Sequence, residues 1–424
     1  MIVSFGGAFF PMECFLNNTI LILSPIIIIF RILKSKEDPS RFKEKLGIFK
    51  KKNIKGKLIW FHGSSVGEIL SIIPLVEKFE KNKNIKNILI TSNTFSSSKV
   101  LKKFRLKKTI HQFLPIDSRI LVKKFLSNWE PSVAIFIESE IWPNFINEIN
   151  RKEIPLILIN ARMTKKTFLK WNNLKNFSKS IFNKFNLTLS QNKETMFFLK
   201  KLGSKNIKNF GNLKFSETKS IKDNNIKSKK LLKFFKSKNF VFGGISTHSG
   251  EEEFCGKIQT LIKYKIKNSL TIIIPRHIDR CADIIMRLQN LGLKVHLHSD
   301  KSNIDKKTDI YLVDSFGETN SFINQCNIVF LGGSVIKRGG QNPLEAVRLK
   351  CKVLHGPYTY NFSEVYALLR NLNLCFLVRH PNEVINHLNF TKNKKNKINK
   401  NFINLNSLGK KILKDNYNEV LKYI

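Results

Sequence analysis

Short apolar segments that alternate with helical patterns are the feature of this chain that most constrains its fold. In the first half, helical stretches at residues 66–80 and near 98–104 lie among the apolar runs KLIWF (57–61), NILIT (87–91), SVAIFI (132–137), PLILIN (155–160) and LTLSQ (187–191). Runs this apolar suit strands that are buried on both faces of a parallel sheet, with helices as the crossover connections. The pattern therefore predicts an α/β fold built from βαβ units.

The alternation stops at residues 215–238, which are rich in Lys, Asn and Ser and are typical of a linker with at most one helix. It resumes with FVFGGIS (240–246), SLTIIIP (269–275), KVHLH (294–298), DIYLV (309–313), NIVFLGG (327–333) and CKVLHG (351–356). We therefore expect two Rossmann-like domains in the 424 residues. The predicted bounds are an N-terminal segment 1–35, an N-terminal domain 36–214, the linker 215–238, a C-terminal domain 239–385, and a tail 386–424 whose last helix, 403–424, is expected to pack back on the first domain.

The N-terminal segment has a membrane-like pattern. Residues 15–33 form an apolar run of about the length that crosses a bilayer, although two asparagines, a proline and an arginine interrupt it. Arg31, Lys34 and Lys36 lie at its end, so the positive-inside rule puts the rest of the chain in the cytoplasm. An uncleaved anchor or an interfacial helix is favoured, and the alternative is a buried amphipathic helix of the first domain.

The charge balance points to an anionic partner. Lys and Arg total 74 against 31 Asp and Glu, a net charge of +43, which attracts nucleic acid, anionic lipid or phosphorylated substrates. Drift in base composition toward Lys explains the excess equally well, and no zinc-finger or RNP pattern supports a dedicated nucleic-acid binder. Six cysteines without a CxxC pair suit a reducing compartment and argue against a structural metal site.

Carboxylates follow two strands of the first half. Ligands of parallel sheets bind at the carboxyl ends of the strands, so these loops are where chemistry is expected. In HGSSVGE (62–68), Ser65 and Glu68 have the spacing of a capping box; Glu68 is either a helix cap or a catalytic group, and spacing alone favours the cap. Glu138 and Glu140 leave the strand that ends at residue 137, where unpaired carboxylates are costly, so each is hydrogen-bonded or functional and one can be structural.

The second half carries loops suited to phosphate groups. They are STHSGE (246–251), PRH (275–277), FGE (316–318), GGS (332–334), GGQNPLE (339–345) and GPYTYNF (356–362). Arg276 offers a planar fork to an oxyanion, Pro343 suits the first turn of a helix that faces an anion, and Glu345 is the type of residue that holds a ribose diol. GxGxxG, GxxxxGK[ST] and HExxH motifs are absent from the sequence, so a dinucleotide dehydrogenase, a P-loop NTPase and a protein-built metal site are not expected.

Together these loops resemble the bacterial 3-deoxy-D-manno-octulosonic acid (Kdo) transferases, lipopolysaccharide enzymes that use CMP-Kdo. The resemblance extends from about residue 36 to about residue 369. It is carried by SVGE (65–68), HQFLPID (111–117), ESEIWPN (138–144), INARMT (159–164), GNLKF (211–215), STHSGEEE (246–253), PRH (275–277), FGE (316–318), GGS (332–334), GGQNPLE (339–345) and GPYTYNF (356–362).

The resemblance implies the GT-B glycosyltransferase fold, an N-terminal anchor in the inner membrane, and transfer of Kdo at its cytoplasmic face from CMP-Kdo to the lipid A precursor lipid IVA, with no metal or other cofactor. It makes Glu68 the general base, since the attacking sugar hydroxyl must lose its proton. Glu138 and Lys214 match positions credited with transition-state stabilisation. The positions that match CMP contacts are Pro275, Arg276, Phe316, Gly317, Glu318, Asn342, Pro343, Leu344 and Glu345. No nucleic-acid partner is expected.

Two positions depart from the family pattern. Loop 92–98, SNTFSSS, lacks the glycine of the usual Thr-x-Thr-Gly, which affects an acceptor or donor contact, and Phe316 stands where Met is common. Two other functions remain open: a GT-B transferase with another nucleotide sugar, such as a UDP-sugar, and a non-catalytic protein that binds polyanions or anionic membranes.

Overall fold

The computed structural model describes residues 28, 30–34, 37–49, 56–216, 226, 228–388 and 392–424, with residues 392–400 described in their backbone only. The chain forms two compact units, Met1–Thr218 with Leu408–Ile424, and Lys219–Ser407. Most of the predicted anchor, residues 1–35, lies outside the described residues. In the part of the chain that is described, no helix combines the length and the apolar character needed to cross a bilayer.

The first unit contains a parallel sheet with helices between its strands. In chain order, its elements are β1 (Leu58–His62), α1 (Val66–Glu80), β2 (Asn87–Ser92), α2 (Phe95–Leu101), β3 (Thr109–Phe113), α3 (Arg119–Trp129), β4 (Val133–Ile137), α4 (Pro143–Arg151), β5 (Leu156–Ala161), α5 (Lys165–Asn172), α6 (Lys175–Phe182), β6 (Leu187–Ser190), α7 (Lys193–Lys201) and β7 (Ile207–Asn209). Short 3-10 helices at Phe42–Leu46 and Leu213–Ser216 flank this set.

The strand order in the first sheet is β3-β2-β1-β4-β5-β6-β7, and all pairs are parallel. The chain therefore winds outward from β1 in one direction and then from β4 in the other, so the order reverses between these two strands. Both are buried along their whole length. In sheets of this kind, ligands bind at the carboxyl ends of the strands beside such a reversal.

The second unit repeats this architecture. Its elements are α8 (Lys229–Lys236), β8 (Phe240–Thr247), α9 (Glu251–Lys265), β9 (Ser269–Pro275), α10 (Cys281–Gln289), β10 (Val295–Leu297), β11 (Ile310–Leu312), α11 (Thr319–Ile323), β12 (Ile328–Leu331), α12 (Leu344–Arg348), β13 (Lys352–His355), α13 (Ser363–Asn371) and β14 (Cys375–Leu377), with 3-10 helices at Ile278–Arg280 and Pro381–His387. The order β10-β11-β9-β8-β12-β13-β14 is again parallel and reverses between β8 and β12.

The last helix, α14 (Lys392–Leu421), completes the core of the first unit with its C-terminal part. Ile412 and Val420 are buried in the same apolar cluster as β1, β4 and α1. The rings of Phe79 and Tyr417 lie 4.7 Å apart. At Gly409 the approach is so close that a Cβ would lie 2.3 Å from the carbonyl oxygen of Phe215, so this contact requires glycine.

The α/β fold class predicted from the sequence is confirmed. The five apolar runs of the first half and the six of the second all form strands, and the helix predicted over 66–80 has those bounds. The helix expected near 98–104 begins earlier, at Phe95, because Thr94 caps it by accepting a hydrogen bond from the Ser97 N–H. Strands β3, β7 and β14 have no counterpart in the sequence prediction.

Candidate active site

Glu68 and Glu138 lie where the strand order of the first sheet reverses. Glu68 is in the first turn of α1, which follows β1, and Glu138 directly follows β4, the neighbour of β1. Glu140 lies two residues further on. Lys214 belongs to the 3-10 helix Leu213–Ser216, which packs against α1. The fold thus brings together the catalytic residues that the sequence predicted.

Glu68 forms the capping box expected from its spacing. Its Oε2 accepts hydrogen bonds from the backbone N–H groups of Ser64 at 2.6 Å and Ser65 at 3.2 Å, while the Ser65 hydroxyl accepts one from the Glu68 N–H at 3.3 Å. Among the described residues, Oε1 has no hydrogen-bond partner. The cap therefore occupies one carboxyl oxygen and leaves the other for a ligand, so capping and catalysis are compatible at this residue.

The buried Glu138 forms an ion pair with the half-buried Lys214. The Lys214 Nζ lies 2.6 Å from Glu138 Oε1. Glu138 has a left-handed backbone, φ 56°, which is uncommon outside glycine and turns the chain sharply away from β4. The side chain of Asn160 links Glu138 to the residue before Lys214, because its Oδ1 accepts the Leu213 N–H at 3.0 Å and its amide lies 3.4 Å from Glu138 Oε1.

Glu140 is buried and is the acceptor of three side-chain hydrogen bonds. Its Oε2 lies 3.0 Å from His62 Nε2, 2.5 Å from the Ser64 hydroxyl and 2.7 Å from the Trp142 indole nitrogen. Burial alone raises the pKa of Glu140, but the hydrogen bonds from these partners, with the charge of His62, outweigh it and lower the pKa. Glu140 is therefore a stable anion.

The pKa of Glu68 is shifted in the opposite direction. Burial, followed by the negative charges of Glu140 and Glu138, raises its pKa to about 8, against the opposing effect of its hydrogen bonds from Ser65. A carboxyl group with a pKa near the working pH is suited to proton transfer, because it is both available and basic. The site thus combines a titrating carboxyl with a fixed anion and an ion pair.

In the second unit, the buried Glu251 organises the loops at the reversal between β8 and β12. Its two oxygens accept hydrogen bonds from the backbone N–H groups of His248 (3.0 Å), Gly333 (2.6 Å), Ser334 (3.0 Å) and Val335 (3.1 Å). The loops approach closely, since a Cβ at Gly332 would lie 2.3 Å from the Ser246 carbonyl oxygen. One carboxylate therefore fixes both loops.

Positive groups surround this edge of the second sheet. Arg276 follows β9, is exposed, and has its backbone N–H bonded to the Thr247 carbonyl at 2.9 Å. The rings of His248 and His277 are 5.9 Å apart. Burial lowers the pKa of His248 more than Glu251 raises it, and the charges of Arg338, His277 and Arg276 lower it further. The cluster is thus suited to bind an anion, and sequence reasoning missed Arg338.

The remaining predicted CMP contacts lie on two strand ends. Phe316, Gly317 and Glu318 follow β11, the neighbour of β9, and so share an edge with Pro275 and Arg276. Phe316 is 77% exposed, and Glu318 Oε2 lies 2.6 Å from the Ser315 hydroxyl and 3.3 Å from His298 Nε2.

The segment Asn342, Pro343, Leu344 and Glu345 opens α12, on the other side of β8. Asn342 Oδ1 accepts the Leu344 N–H at 3.1 Å, which fixes the start of the helix. The donor loops predicted from the sequence therefore all lie at the same end of the second sheet; those after β9 and β11 follow adjacent strands, and β8 separates them from the loop after β12.

Comparison with known proteins identifies the family. Residues 40–217 match the family model described as 3-deoxy-D-manno-octulosonic-acid transferase (kdotransferase). The 3-deoxy-D-manno-octulosonic acid transferase of Rickettsia bellii (strain RML369-C) is 34% identical over 376 residues, 89% of this chain and 89% of that protein. The chain belongs to the Kdo transferase family. Its relative from Rickettsia prowazekii (strain Madrid E) is 34% identical over 373 residues, 86% of this chain and 79% of that Kdo transferase.

The fold of this Kdo transferase has counterparts among solved structures. UDP-GlcNAc 2-epimerase from Neisseria meningitidis, bound to UDP-GlcNAc, is similar with a TM-score of 0.58 and 14% identity, over 84% of this chain and 98% of that one. At this identity the likeness concerns the fold alone, and it supports the GT-B-like class predicted from the sequence.

Membership in the Kdo transferases makes this chain a glycosyltransferase that transfers Kdo. The region matched by the family model carries Glu68, Glu138 and Lys214. Sequence reasoning left open which of Glu138 and Glu140 is structural and did not foresee that Glu140 is paired with His62, although the motif ESEIWPN contains the first partner and HGSSVGE the second. Within the described residues, no group of three or more His, Cys, Asp or Glu side chains is arranged to hold a metal ion.

Proposed function

We propose that this Kdo transferase uses CMP-Kdo as donor and the lipid A precursor lipid IVA as acceptor, at the cytoplasmic face of the inner membrane and without a metal ion. The observation that carries the proposal is a pair of carboxylates in the first unit that have different surroundings. Glu68 has a free oxygen and a raised pKa, while Glu138 is paired with Lys214.

The reaction needs a base. An acceptor hydroxyl attacks the anomeric carbon of Kdo while CMP departs, and the hydroxyl must lose its proton during the attack. Glu68 Oε1 is suited to receive this proton, since Oε2 already accepts the two backbone N–H groups of the cap. These two hydrogen bonds also fix the orientation of the carboxyl plane, which favours transfer along one direction.

The Glu138–Lys214 pair supplies a fixed charge. A buried carboxylate that holds an ammonium group at 2.6 Å limits the motion of the lysine. A preorganised cation stabilises negative charge that develops in a transition state, because it needs no reorganisation when the reaction occurs. We therefore assign Lys214 to stabilisation of developing negative charge and Glu138 to holding it.

The second unit is suited to a nucleoside monophosphate. Arg276 and Arg338 provide the positive field for a phosphate, His248 and His277 lie beside them as hydrogen-bonding groups, and Arg276 is exposed so that its guanidinium fork is accessible. Asn342–Glu345, at the start of α12, and Phe316–Glu318 provide polar side chains and a ring for the ribose and the base. These groups neutralise a phosphate without a metal ion.

The acceptor assignment rests on charge and on the N-terminal run. Lipid IVA is an anionic, bisphosphorylated glycolipid, and a chain with a net charge of +43 is attracted to it and to the anionic membrane around it. The predicted anchor, 1–35, would keep the enzyme at that surface.

The test is transfer by the full-length protein. Incubation with CMP-Kdo and lipid IVA should release CMP and raise the mass of the glycolipid by one or more Kdo residues. A parallel thermal-shift comparison should give stabilisation by CMP but not by UMP or RNA. Transfer from a UDP-sugar with none from CMP-Kdo would replace the donor, and stabilisation by RNA alone with no transfer would favour the non-catalytic polyanion binder.

A further inference from the structure

Ser64 links two carboxylates of the first unit whose pKa values are shifted in opposite directions, Glu68 upward and Glu140 downward. Its backbone N–H donates to Glu68 Oε2 at 2.6 Å, and its hydroxyl donates to Glu140 Oε2 at 2.5 Å. The same hydroxyl accepts a hydrogen bond from the Asn93 amide at 2.9 Å. Glu140 therefore fixes the position of the turn at Ser64, and this turn fixes the carboxyl group of Glu68.

A chain of buried donors keeps Glu140 ionised. The Trp60 indole N–H donates to the Thr91 hydroxyl at 2.9 Å, and Thr91 lies 2.9 Å from His62 Nδ1. Since a carboxylate only accepts, His62 Nε2 carries the proton that bonds to Glu140. Every member of this chain has a partner, and His62 is fully buried. The imidazole is thus locked with its N–H aimed at Glu140.

The groups that face Glu68 are few. Glu140 and Glu138 contribute negative charge after β4; Lys214 neutralises much of the charge of Glu138 at 2.6 Å, and His62 donates to Glu140. From the segment before β1, Lys45 reaches the neighbouring loop, where its ammonium donates to the Asn93 carbonyl at 2.8 Å. Because Glu138 is paired with a cation, the charge of Glu140 raises the pKa of Glu68 more than that of Glu138 does.

We propose that Glu140 is a positioning residue of this transferase: an anion held by His62, Ser64 and Trp142 that orients the Ser64 turn against Glu68 and strengthens the affinity of Glu68 for a proton. The inference rests on the proposed function for its catalytic meaning, since it concerns the base of that reaction. This inference assigns the buried His62 a role beyond packing, since its hydrogen bond keeps Glu140 ionised and the charge of Glu140 makes Glu68 more basic.

The test is Glu140→Gln in the full-length protein. The amide oxygen can still accept from Ser64 and Trp142, and its NH2 group can donate to His62 Nε2 after a change of tautomer, so the fold should be retained. With the charge removed, the pH at which Glu68 deprotonates should fall by about one to three units, the range for a close charged neighbour. The acid limb of the pH profile of Kdo transfer should move to lower pH by that amount.

A second readout does not depend on transfer. Carboxyl-labelled glutamate followed by 13C NMR, with the Glu68 signal assigned by its loss in Glu68→Gln, should show the same downward shift in Glu140→Gln. Glu148→Gln is the matched control, because Glu148 is also buried and is paired with Arg119 and Arg151 away from Glu68; it should leave both the acid limb and the NMR titration of Glu68 in place.

The outcomes separate the inference from the function. A wild type that lacks Kdo transfer but whose Glu68 signal shifts in Glu140→Gln contradicts the proposed function and keeps the inference. An active wild type with unchanged acid limb and NMR titration in a folded Glu140→Gln overturns the inference alone. If Glu140→Gln does not fold, Glu140→Asp should give a smaller shift in the same direction, since the shorter side chain draws the carboxylate back from the Ser64 turn and so from Glu68; no shift there also overturns the inference.

Discussion

Replacing Glu68 by Gln separates its two roles. The capping box needs only an acceptor for the Ser64 and Ser65 N–H groups, and the amide oxygen of Gln provides it. The amide nitrogen then takes the position of Oε1, and the nearby negative charges of Glu140 and Glu138 favour a neutral donor over a carboxylate there. A complete loss of the cap costs about 0.5–2 kcal/mol, so the loss here should be below about 1 kcal/mol. That corresponds to less than about 4 °C in Tm for a domain of this size.

Catalysis has no such substitute, because an amide does not accept a proton at neutral pH. Loss of a general base typically lowers the rate by about 10² to 10⁴. We therefore expect Glu68→Gln to lower transfer from CMP-Kdo to lipid IVA at least about a hundredfold, measured as CMP release and glycolipid mass, with unchanged affinity for CMP.

Glu80→Gln is the matched control. Glu80 ends the same helix and accepts hydrogen bonds from the Lys107 and Lys108 N–H groups at 2.9 and 2.8 Å, so it loses a comparable charge far from the loops that follow β1 and β4. Near-normal transfer by a folded Glu68→Gln protein would refute the assignment of the base and leave Glu68 as a helix cap.

Four further results are expected. The transfer rate of the wild type should rise with pH through about 8, because Glu68 must be deprotonated to act as a base. The same raised pKa means that the protonated Glu68 stabilises the fold fully below about pH 4.5 and that this stabilisation is lost as the pH rises to about 8. Urea unfolding at several pH values should therefore show the wild type losing stability relative to Glu68→Gln between these two pH values. Arg276→Ala should weaken CMP binding by about 1.5–3 kcal/mol in calorimetry, and an unchanged affinity would take the β9 loop out of the donor site. Transfer should persist in EDTA, whereas a loss restored by added Mg²⁺ would contradict the metal-free mechanism. Deletion of residues 1–34 should release a folded protein from membranes in a high-salt wash, and aggregation of the deleted protein beside a soluble full-length chain would make the segment part of the core.

The central strands were predictable from the sequence because burial on both faces demands continuous apolar runs, as in VAIFI (133–137) and IVFL (328–331). The missed strands β3, β7 and β14 do not follow that rule. Strands β7 and β14 are three-residue edge strands, and β3 is an edge strand that contains His111 and Gln112. Because each of them pairs with a neighbour on one side only, its sequence shows little of the continuous apolar run that marks a central strand. Their positions are set by pairing with a neighbour that local sequence does not encode.

The site was predictable in part for a related reason. Strand ends and family motifs pointed to Glu68, Glu138 and Lys214, and the capping box was legible from the spacing of Ser65 and Glu68 alone. The hydrogen-bond partners of Glu140 could not be predicted from the sequence. The His62–Glu140 contact joins residues 78 positions apart, and it exists because β1 and β4 become neighbours in the sheet. The proton affinity of Glu68 depends on such contacts, so no local pattern reports it.

The route of the chain has a consequence for its synthesis. The first unit is begun by the early strands and completed by Leu408–Ile424, which leave the ribosome after all of the second unit. Until then, the apolar surface that Ile412, Tyr417 and Val420 cover stays open to water. A nascent chain that pauses within the second unit therefore exposes this apolar surface on a nearly complete first unit. Such a chain is a target for chaperones and is prone to associate with other nascent chains. Translation speed through residues 219–407 sets how long that exposure lasts.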